Sequence, residues 1–250
     1  MIELHDISQT FGNFHALRGI NLTVRQGAVT CVLGDNGAGK STLIKILAGL
    51  TPPTGGTISV DGEEVRFASP RDSLDAGIAT VYQDLALVPS LSVWRNFFLG
   101  QELTGAFGRL REEEMKRITH DQLSEMGIVL GDVSVELSAL SGGQRQVVAI
   151  ARAIYFGARY IILDEPTAAL GVKQSGMVLR FIDAARERGM GVVFITHNPQ
   201  HAYLVGDHFV VLTVGEMSLN APKEEVTLPE LTQWMAGGDE LEELKQQLAR

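Results

Sequence analysis

A single cysteine, Cys31, leaves this 250-residue chain with no partner for an internal disulfide, and its place in an apolar run predicts a buried small hydrophobe rather than a reactive thiol. Long apolar runs are missing too. None approaches the roughly 18 residues that a bilayer-spanning helix needs, and Met1-Ile2-Glu3-Leu4-His5-Asp6 has no signal-peptide character. The expectation is a chain that stays in the cytoplasm. Basic charge is in deficit, with 21 Lys and Arg against 30 Asp and Glu for a formal charge of −9. That balance argues against a broad electrostatic hold on nucleic acid, which is not expected as a partner. No internal repeat or low-complexity segment stands out. What remains is a chain that is 45% hydrophobic, with ample material for a packed core.

Against that background Gly34-Asp35-Asn36-Gly37-Ala38-Gly39-Lys40-Ser41 fits the phosphate-loop pattern G-x-x-x-x-G-K-[ST]. Glycines let the backbone take positive φ and bring successive N–H groups around an anion, where a side chain would block the approach. Lys40 supplies a point positive charge for the β- and γ-phosphates, and the Ser41 hydroxyl is placed to complete a Mg²⁺ coordination shell. The context agrees. Ala28 to Leu33 reads as a buried strand entering the loop, and Leu43, Ile44, Ile46 and Leu47 give an apolar helix leaving it, so the phosphate meets a helix N-terminus.

Elsewhere, residues 1 to 33 alternate and predict strands of a small antiparallel layer. Thr57 to Val60, the turn pair Asp61-Gly62 and Glu63 to Phe67 predict a hairpin, followed by a strand over Ile78 to Tyr82. From about residue 84 to 156 the periodicity is helical, with Met115, Ile118, Leu123 and Met126 on one face. Strand and helix then alternate again: Tyr160 to Leu163, a helix with Val178, Phe181, Ile182 and Ala185 at i, i+3, i+4 and i+7, and Gly191 to Thr196. The expected fold is α/β: a parallel sheet covered by helices, an antiparallel β layer and an inserted α-helical subdomain. After Gly237-Gly238 a terminal helix is expected, with Leu241, Leu244 and Leu248 on one face.

Two further stretches carry chemistry. The strand Tyr160 to Leu163 ends in Asp164-Glu165-Pro166, where Asp164 is placed to hold the water shell of Mg²⁺ and Glu165 to orient or deprotonate the attacking water. Pro166 keeps Glu165 out of helical geometry. Leu140-Ser141-Gly142-Gly143-Gln144 opens a helix, whose bare N–H groups and dipole make a second anion site with Ser141 adding a hydroxyl. One ATP does not need both anion sites from one chain, so one copy is not expected to hydrolyse ATP alone.

In these residues the chain resembles the ATP-binding cassette (ABC) ATPases, whose fold is a P-loop NTPase, RecA-like core. The resemblance takes Gly34 to Thr42 as Walker A (Gly34, Asn36, Gly37, Ala38, Gly39, Lys40, Ser41 and Thr42 around the nucleotide) and Leu140 to Gln144 as the signature. It takes Tyr160 to Glu165 as Walker B. It implies a core over 1–83 and 157–236, a helical subdomain over about 84–156, and a helix over 237–250. It also implies that Phe11 stacks on adenine, with Phe14 close by as the alternative, and that Gln83 contacts Mg²⁺ and the water. His197 would hydrogen-bond the γ-phosphate and steady Glu165. ATP and Mg²⁺ are the implied ligands, and a second ABC ATPase subunit, forming a C2 homodimer, is the implied partner.

Gly34 to Gly49, Gly77 to Gly100, Glu165 to Gln174 and Thr196-His197-Asn198 look like the ATPases of bacterial monosaccharide importers. That likeness implies a separate membrane permease, a substrate-binding protein outside, and a place on the cytoplasmic side of the membrane. One departure is Ala168-Ala169-Leu170-Gly171, which lacks the aspartate the family usually carries at the last position. Glu165 is intact, so ATPase activity is expected to survive. The alternatives are an importer of another small solute, a soluble non-transport ABC ATPase, and a subunit that binds ATP without turning it over.

Overall fold

The computed structural model describes residues 1–236, so the expected helix over 237–250 lies outside the described residues. Ten strands and eight α-helices follow in order: β1 (Ile2–Phe11), β2 (Phe14–Val24), β3 (Val29–Leu33), α1 (Lys40–Leu47), β4 (Gly55–Val60), β5 (Glu63–Val65), α2 (Pro70–Asp75), β6 (Ile78–Val81), α3 (Val93–Phe98), α4 (Glu112–Glu125), α5 (Gly142–Tyr155), β7 (Tyr160–Asp164), α6 (Val172–Glu187), β8 (Gly191–Ile195), α7 (Pro199–Val205), β9 (His208–Thr213), β10 (Glu216–Pro222) and α8 (Leu228–Met235). Among these residues no helix is long and apolar enough to cross a membrane.

The strands form two sheets, an antiparallel one ordered β2-β1-β4-β5 and a six-stranded one ordered β10-β9-β3-β8-β7-β6. In the larger sheet β9, β3, β8, β7 and β6 run parallel, and β10 closes one edge antiparallel to β9. Its central strands β3, β7 and β8 are largely apolar runs because both faces are covered. Cys31, Leu33, Ile161, Leu163, Val192 and Phe194 point into a core shared with α3, α4, α5 and α6. Val32, Ile162, Val193 and Ile195 point the other way, into a core shared with α1 and the antiparallel sheet. This two-sided burial corrects the expectation that residues 1 to 33 form one antiparallel layer. Val29–Leu33 is buried at every position and belongs to the parallel sheet, and its place in the layer is taken by β4 and β5. The β5 strand stops at Val65, short of Phe67.

The helical segment is organised around α4, where Met115 and Leu123 are fully buried and Met126 lies just beyond the helix end in the same core. Ahead of α3 the chain is pinned by Asn96. Its buried amide accepts from Val88 N at 2.7 Å and donates to the carbonyls of Val88, Leu91 and Ser92. The two sheets are tied together at Asp61, in the turn between β4 and β5. Its carboxylate accepts from the Met1 ammonium at 2.6 Å, from the Tyr160 hydroxyl at 2.5 Å and from the Arg159 guanidinium.

Parallel register brings the carboxyl ends of β3, β8 and β7 level, with Val32 beside Ile195 and Ile195 beside Asp164. The segments starting at Gly34, Gln83, Glu165 and His197 therefore leave the sheet along one edge, the place where open parallel sheets bind ligands.

Candidate functional site

The phosphate loop turns at Gly34, with φ of 143°, where any Cβ would collide with the Leu212 carbonyl. It closes at Gly39, with φ of 107°, where a Cβ would sit 2.7 Å from Leu17 Cδ2 and 2.8 Å from the Ala16 carbonyl. Only glycine fits either place. Gly39 is also the N-cap of α1 and offers no side-chain cap, so the first N–H groups of the helix remain directed at whatever anion the loop holds. Lys40 is buried and bonds through Nζ to the carbonyls of Gly34 and Asp35, the second at 2.9 Å. Burial pulls its pKa below the usual lysine value, opposed by the negative charges of Glu165, Asp35 and Asp164.

Together these residues wall a cavity of about 290 Å³, lined by Asp35, Asn36, Gly37, Gly39, Lys40, Ser41 and Thr42 of the loop, by Phe14 and Ala16 of β2, and by Gln83, Asp164 and Glu165 from the neighbouring strand ends. The sequence expectations for Gln83, Asp164 and Glu165 thus meet in space, although up to 130 residues separate them from the loop. Asp164 is half-buried, and desolvation, followed by the charge of Glu165, raises its carboxyl above the ordinary range, while Lys40 opposes the rise. Ser41, Gln83 and Asp164 present one hydroxyl, one amide and one carboxylate on the same wall. That donor set suits Mg²⁺, which takes few protein ligands when phosphate and water oxygens complete its octahedron.

Glu165 has a φ of 48°, in the left-handed region, with its N–H bonded to the Ile195 carbonyl at 3.0 Å. Pro166 keeps it out of right-handed helix as expected, and the backbone goes further, into a conformation that non-glycine residues hold only under constraint. The carboxylate is 13% exposed, and its Oε2 accepts from His197 Nδ1 at 2.9 Å. With the carboxylate oxygen as acceptor, Nδ1 is the donor of this bond, and Nε2 makes no hydrogen bond among the described residues. His197 itself follows Thr196, whose N–H bonds to the Val32 carbonyl of β3.

Ser141, Gly142, Gly143 and Gln144 are absent from the cavity wall. Ser141 caps α5 in a reciprocal box: its Oγ accepts from Gln144 N at 3.3 Å, and Gln144 Oε1 accepts from Ser141 N at 2.9 Å. Gly142 and Gly143 are packed tightly, since a Cβ would meet Leu170 Cδ2 at 2.9 Å and Gln174 Cβ at 3.2 Å respectively. Phe11 and Phe14 are register partners at the end of the β1–β2 hairpin, both exposed, and it is Phe14 that lines the cavity. The resemblance gave Phe11 as the adenine aromatic with Phe14 as the alternative, and the phosphate cavity takes in Phe14 because that residue shares its face of β2 with Ala16. Asp35 entered only as a variable position of the phosphate-loop pattern, and Ala16 carries no signal in the sequence. His201 was missed as well. Its Nδ1 lies 3.0 Å from Thr167 Oγ1.

Residues 17–168 match the model of the ABC transporter family. The chain is 42% identical over 235 residues to the xylose/arabinose import ATP-binding protein of Sulfolobus acidocaldarius, covering 94% of this chain and 93% of that one. It is 39% identical to the fructose import ATP-binding protein of Rhizobium meliloti, covering 92% and 91%. Against a ribose import ATP-binding protein of Escherichia coli O157:H7 it is 35% identical but spans 46% of that longer chain. Among solved structures, a dimeric post-hydrolysis ATP-binding cassette bound to ADP and Pi superposes with a TM-score of 0.73 at 28% identity, covering 89% of this chain and 99% of that one. A nucleotide-free cassette from an ABC transporter superposes with a TM-score of 0.80 at 23% identity, over 90% and 92%, a likeness in fold. The chain belongs to the ABC transporter family, and it is an ATP-binding cassette.

Proposed function

We propose that this cassette is the ATP-hydrolysing subunit of a monosaccharide importer, working as a pair of copies beneath a separate membrane permease. The observation that carries the hydrolytic reading is the Glu165–His197 contact of 2.9 Å at the edge of the phosphate cradle. There a half-buried carboxylate is held by an imidazole with one nitrogen left free. ATP would lie with its β- and γ-phosphates on the loop N–H groups and Lys40, exchanging the Gly34 and Asp35 carbonyls for phosphate oxygens. Its adenine would lie at the β1–β2 hairpin end on Phe11, with Phe14 beside it. Mg²⁺, held by Ser41, Asp164 and Gln83, would offset phosphate charge. Glu165 would take the proton of the attacking water, and His197 would hold Glu165 in place and meet the γ-phosphate through Nε2.

Since Ser141 to Gln144 lie off the cavity of their own chain, the capped N-terminus of α5 would serve the cavity of the second copy, giving two equivalent sites under C2 symmetry. The dimeric cassette above supports that arrangement. Closure on ATP would move the permease through the segment from Gln83 to Phe98. A largely apolar groove of about 280 Å³ beside it, bordered by Tyr82, Leu85, Leu87 and Phe156, offers a seat for a permease helix. Such a subunit sits peripherally, on the cytoplasmic side. The sugar reading rests on the xylose, fructose and ribose importers named above, and the test is reconstitution with the permease and an external binding protein. Loaded binding protein should raise ATP turnover several-fold over empty protein. Turnover indifferent to every tested monosaccharide would remove the sugar assignment, and no turnover at all would remove the hydrolytic one.

A further inference from the structure

Two segments leave the carboxyl ends of adjacent strands β7 and β8, the turn from Glu165 to Gly171 and the stretch from His197 through α7, and they are cross-linked twice. The first link is His197 Nδ1 to Glu165 Oε2 at 2.9 Å. The second is His201 Nδ1 to Thr167 Oγ1 at 3.0 Å. The links are two residues apart along a turn closed by Ala168 N on the Glu165 carbonyl at 3.0 Å, and four residues apart, about one helical turn, on the other side. The links differ in burial. The His197 side chain is 61% exposed, whereas Thr167 is buried and His201 half-buried, so the second link sits where water competes least.

Both anchors of the second link are fixed from behind. Asn198, the N-cap of α7, accepts from His201 N at 3.0 Å, and Ala202 next to it is completely buried. Thr167 is β-branched, with few rotamers open to it. Burial, and then the nearby His197, lowers the His201 pKa, so the ring is neutral near pH 7 and free to take either role with the hydroxyl. The turn it holds needs holding, since Glu165 and Ala169 both sit at positive φ, 48° and 58°. L-residues keep that conformation only where their surroundings impose it. From Thr167 the turn runs to Leu170, whose side chain covers Gly142 at the start of α5. Gly171 then opens α6 with no side-chain cap.

We propose that His201 is a positioning residue: through Thr167 it fixes the turn between the hydrolytic Glu165 and Leu170 at the signature helix, and so couples the two ATP sites of the pair. The inference rests on the dimeric reading given above. It assigns to a side-chain bond, His201 to Thr167, part of the work that the aspartate missing at Gly171 would otherwise do.

The test is steady-state ATP turnover of the full-length protein, assembled with its permease, across a range of ATP concentrations for wild type, His201→Ala, Thr167→Val, the double variant and His201→Asn. His201→Ala and Thr167→Val should each lower kcat about tenfold with KM for ATP unchanged, because the phosphate loop is untouched. The double variant should be no worse than either single one, since the two groups act as one unit. The Hill coefficient should fall toward one in all three. His201→Asn, whose short amide reaches the position of Nδ1, should recover most of kcat. Single variants within twofold of wild type, losses that multiply in the double variant, or a change confined to KM would overturn the proposal. So would His201→Asn behaving like His201→Ala at an unchanged melting temperature. If the wild-type assembly itself shows no turnover, the hydrolytic reading fails and takes this inference with it. An active wild type with indifferent His201 variants sinks the inference alone.

Discussion

Glu165 holds a backbone conformation that costs free energy and a carboxylate that is almost out of water, and both are explained by where that carboxylate must point. The Ile195 carbonyl takes its N–H, Pro166 blocks the right-handed helix, and His197 receives the side chain. Replacing the carboxylate by an isosteric amide keeps the side-chain shape and removes the proposed proton acceptor. Glu165→Gln should therefore bind ATP as wild type does while turnover falls by about 10²-fold or more, the usual contribution of a positioned general base. Nucleotide binding by fluorescence and phosphate release measured side by side check this. Equal turnover in the two proteins would mean that the carboxylate is not the base. Lys40 is a different case, because on the proposed reading its charge would meet the phosphates. Lys40→Ala should lose ATP affinity itself, visible as failure of nucleotide to raise the melting temperature.

At the scale of elements, the helix starts decide how firmly the site is built. The box of Ser141 and Gln144 satisfies two N–H groups at the head of α5, so Ser141→Ala should cost about 1 kcal/mol of stability. Gly171 starts α6 with no side-chain cap. Restoring an aspartate there, Gly171→Asp, should stabilise by a few tenths of a kcal/mol, a rise of about 1 °C in Tm. A fall in Tm would show that the turn from Thr167 to Leu170 cannot accommodate a capping carboxylate. Asn96 governs a longer stretch. Its amide answers four backbone groups of the segment before α3, and Asn96→Ala would leave part of them buried without partners. A loss of about 2 kcal/mol is expected from urea unfolding. Loss of permease-stimulated turnover should accompany it, since this segment directly follows Leu85 and Leu87, which border the apolar groove.

Over the whole molecule, the antiparallel layer is joined to the parallel sheet at Asp61, and that joint titrates. Hydrogen bonding from the N-terminal ammonium, then from Tyr160, with added attraction from Arg159, holds the Asp61 carboxyl below the usual range. Burial, and then the hydrogen bond to Asp61, pushes the Tyr160 hydroxyl up to about 12. An acid with a depressed folded-state pKa stabilises the fold above its unfolded pKa and loses that contribution as pH falls through the folded value. The Tm of Asp61→Asn should therefore lie below wild type at pH 7, and the gap should close as pH is lowered beneath the ordinary carboxylate range. A gap independent of pH would mean that the carboxylate's charge contributes nothing. Assembly is the other whole-molecule property. With hydrolysis removed, Glu165→Gln should accumulate as a dimer on adding Mg-ATP, read by light scattering, while wild type returns to the smaller species as ATP is spent.

The phosphate loop, Asp164-Glu165 and the start of α5 were legible in the residues alone, because their signals are local: glycines that only one backbone path accepts, a Ser-Gly-Gly helix opening, a carboxylate at the end of an apolar run. Helix faces such as Val178, Phe181, Ile182 and Ala185 were legible for the same reason, since periodicity is written along the chain. What the residues by themselves left open were choices between distant partners. Nothing near Val29–Leu33 says which strands flank it, nothing near Phe14 says that it rather than Phe11 joins the cavity wall, and nothing near His201 points to Thr167, 34 residues away in sequence. Strand order and register decide such pairings. They are settled by burying two cores at once, a condition that exists only when the whole sheet is assembled.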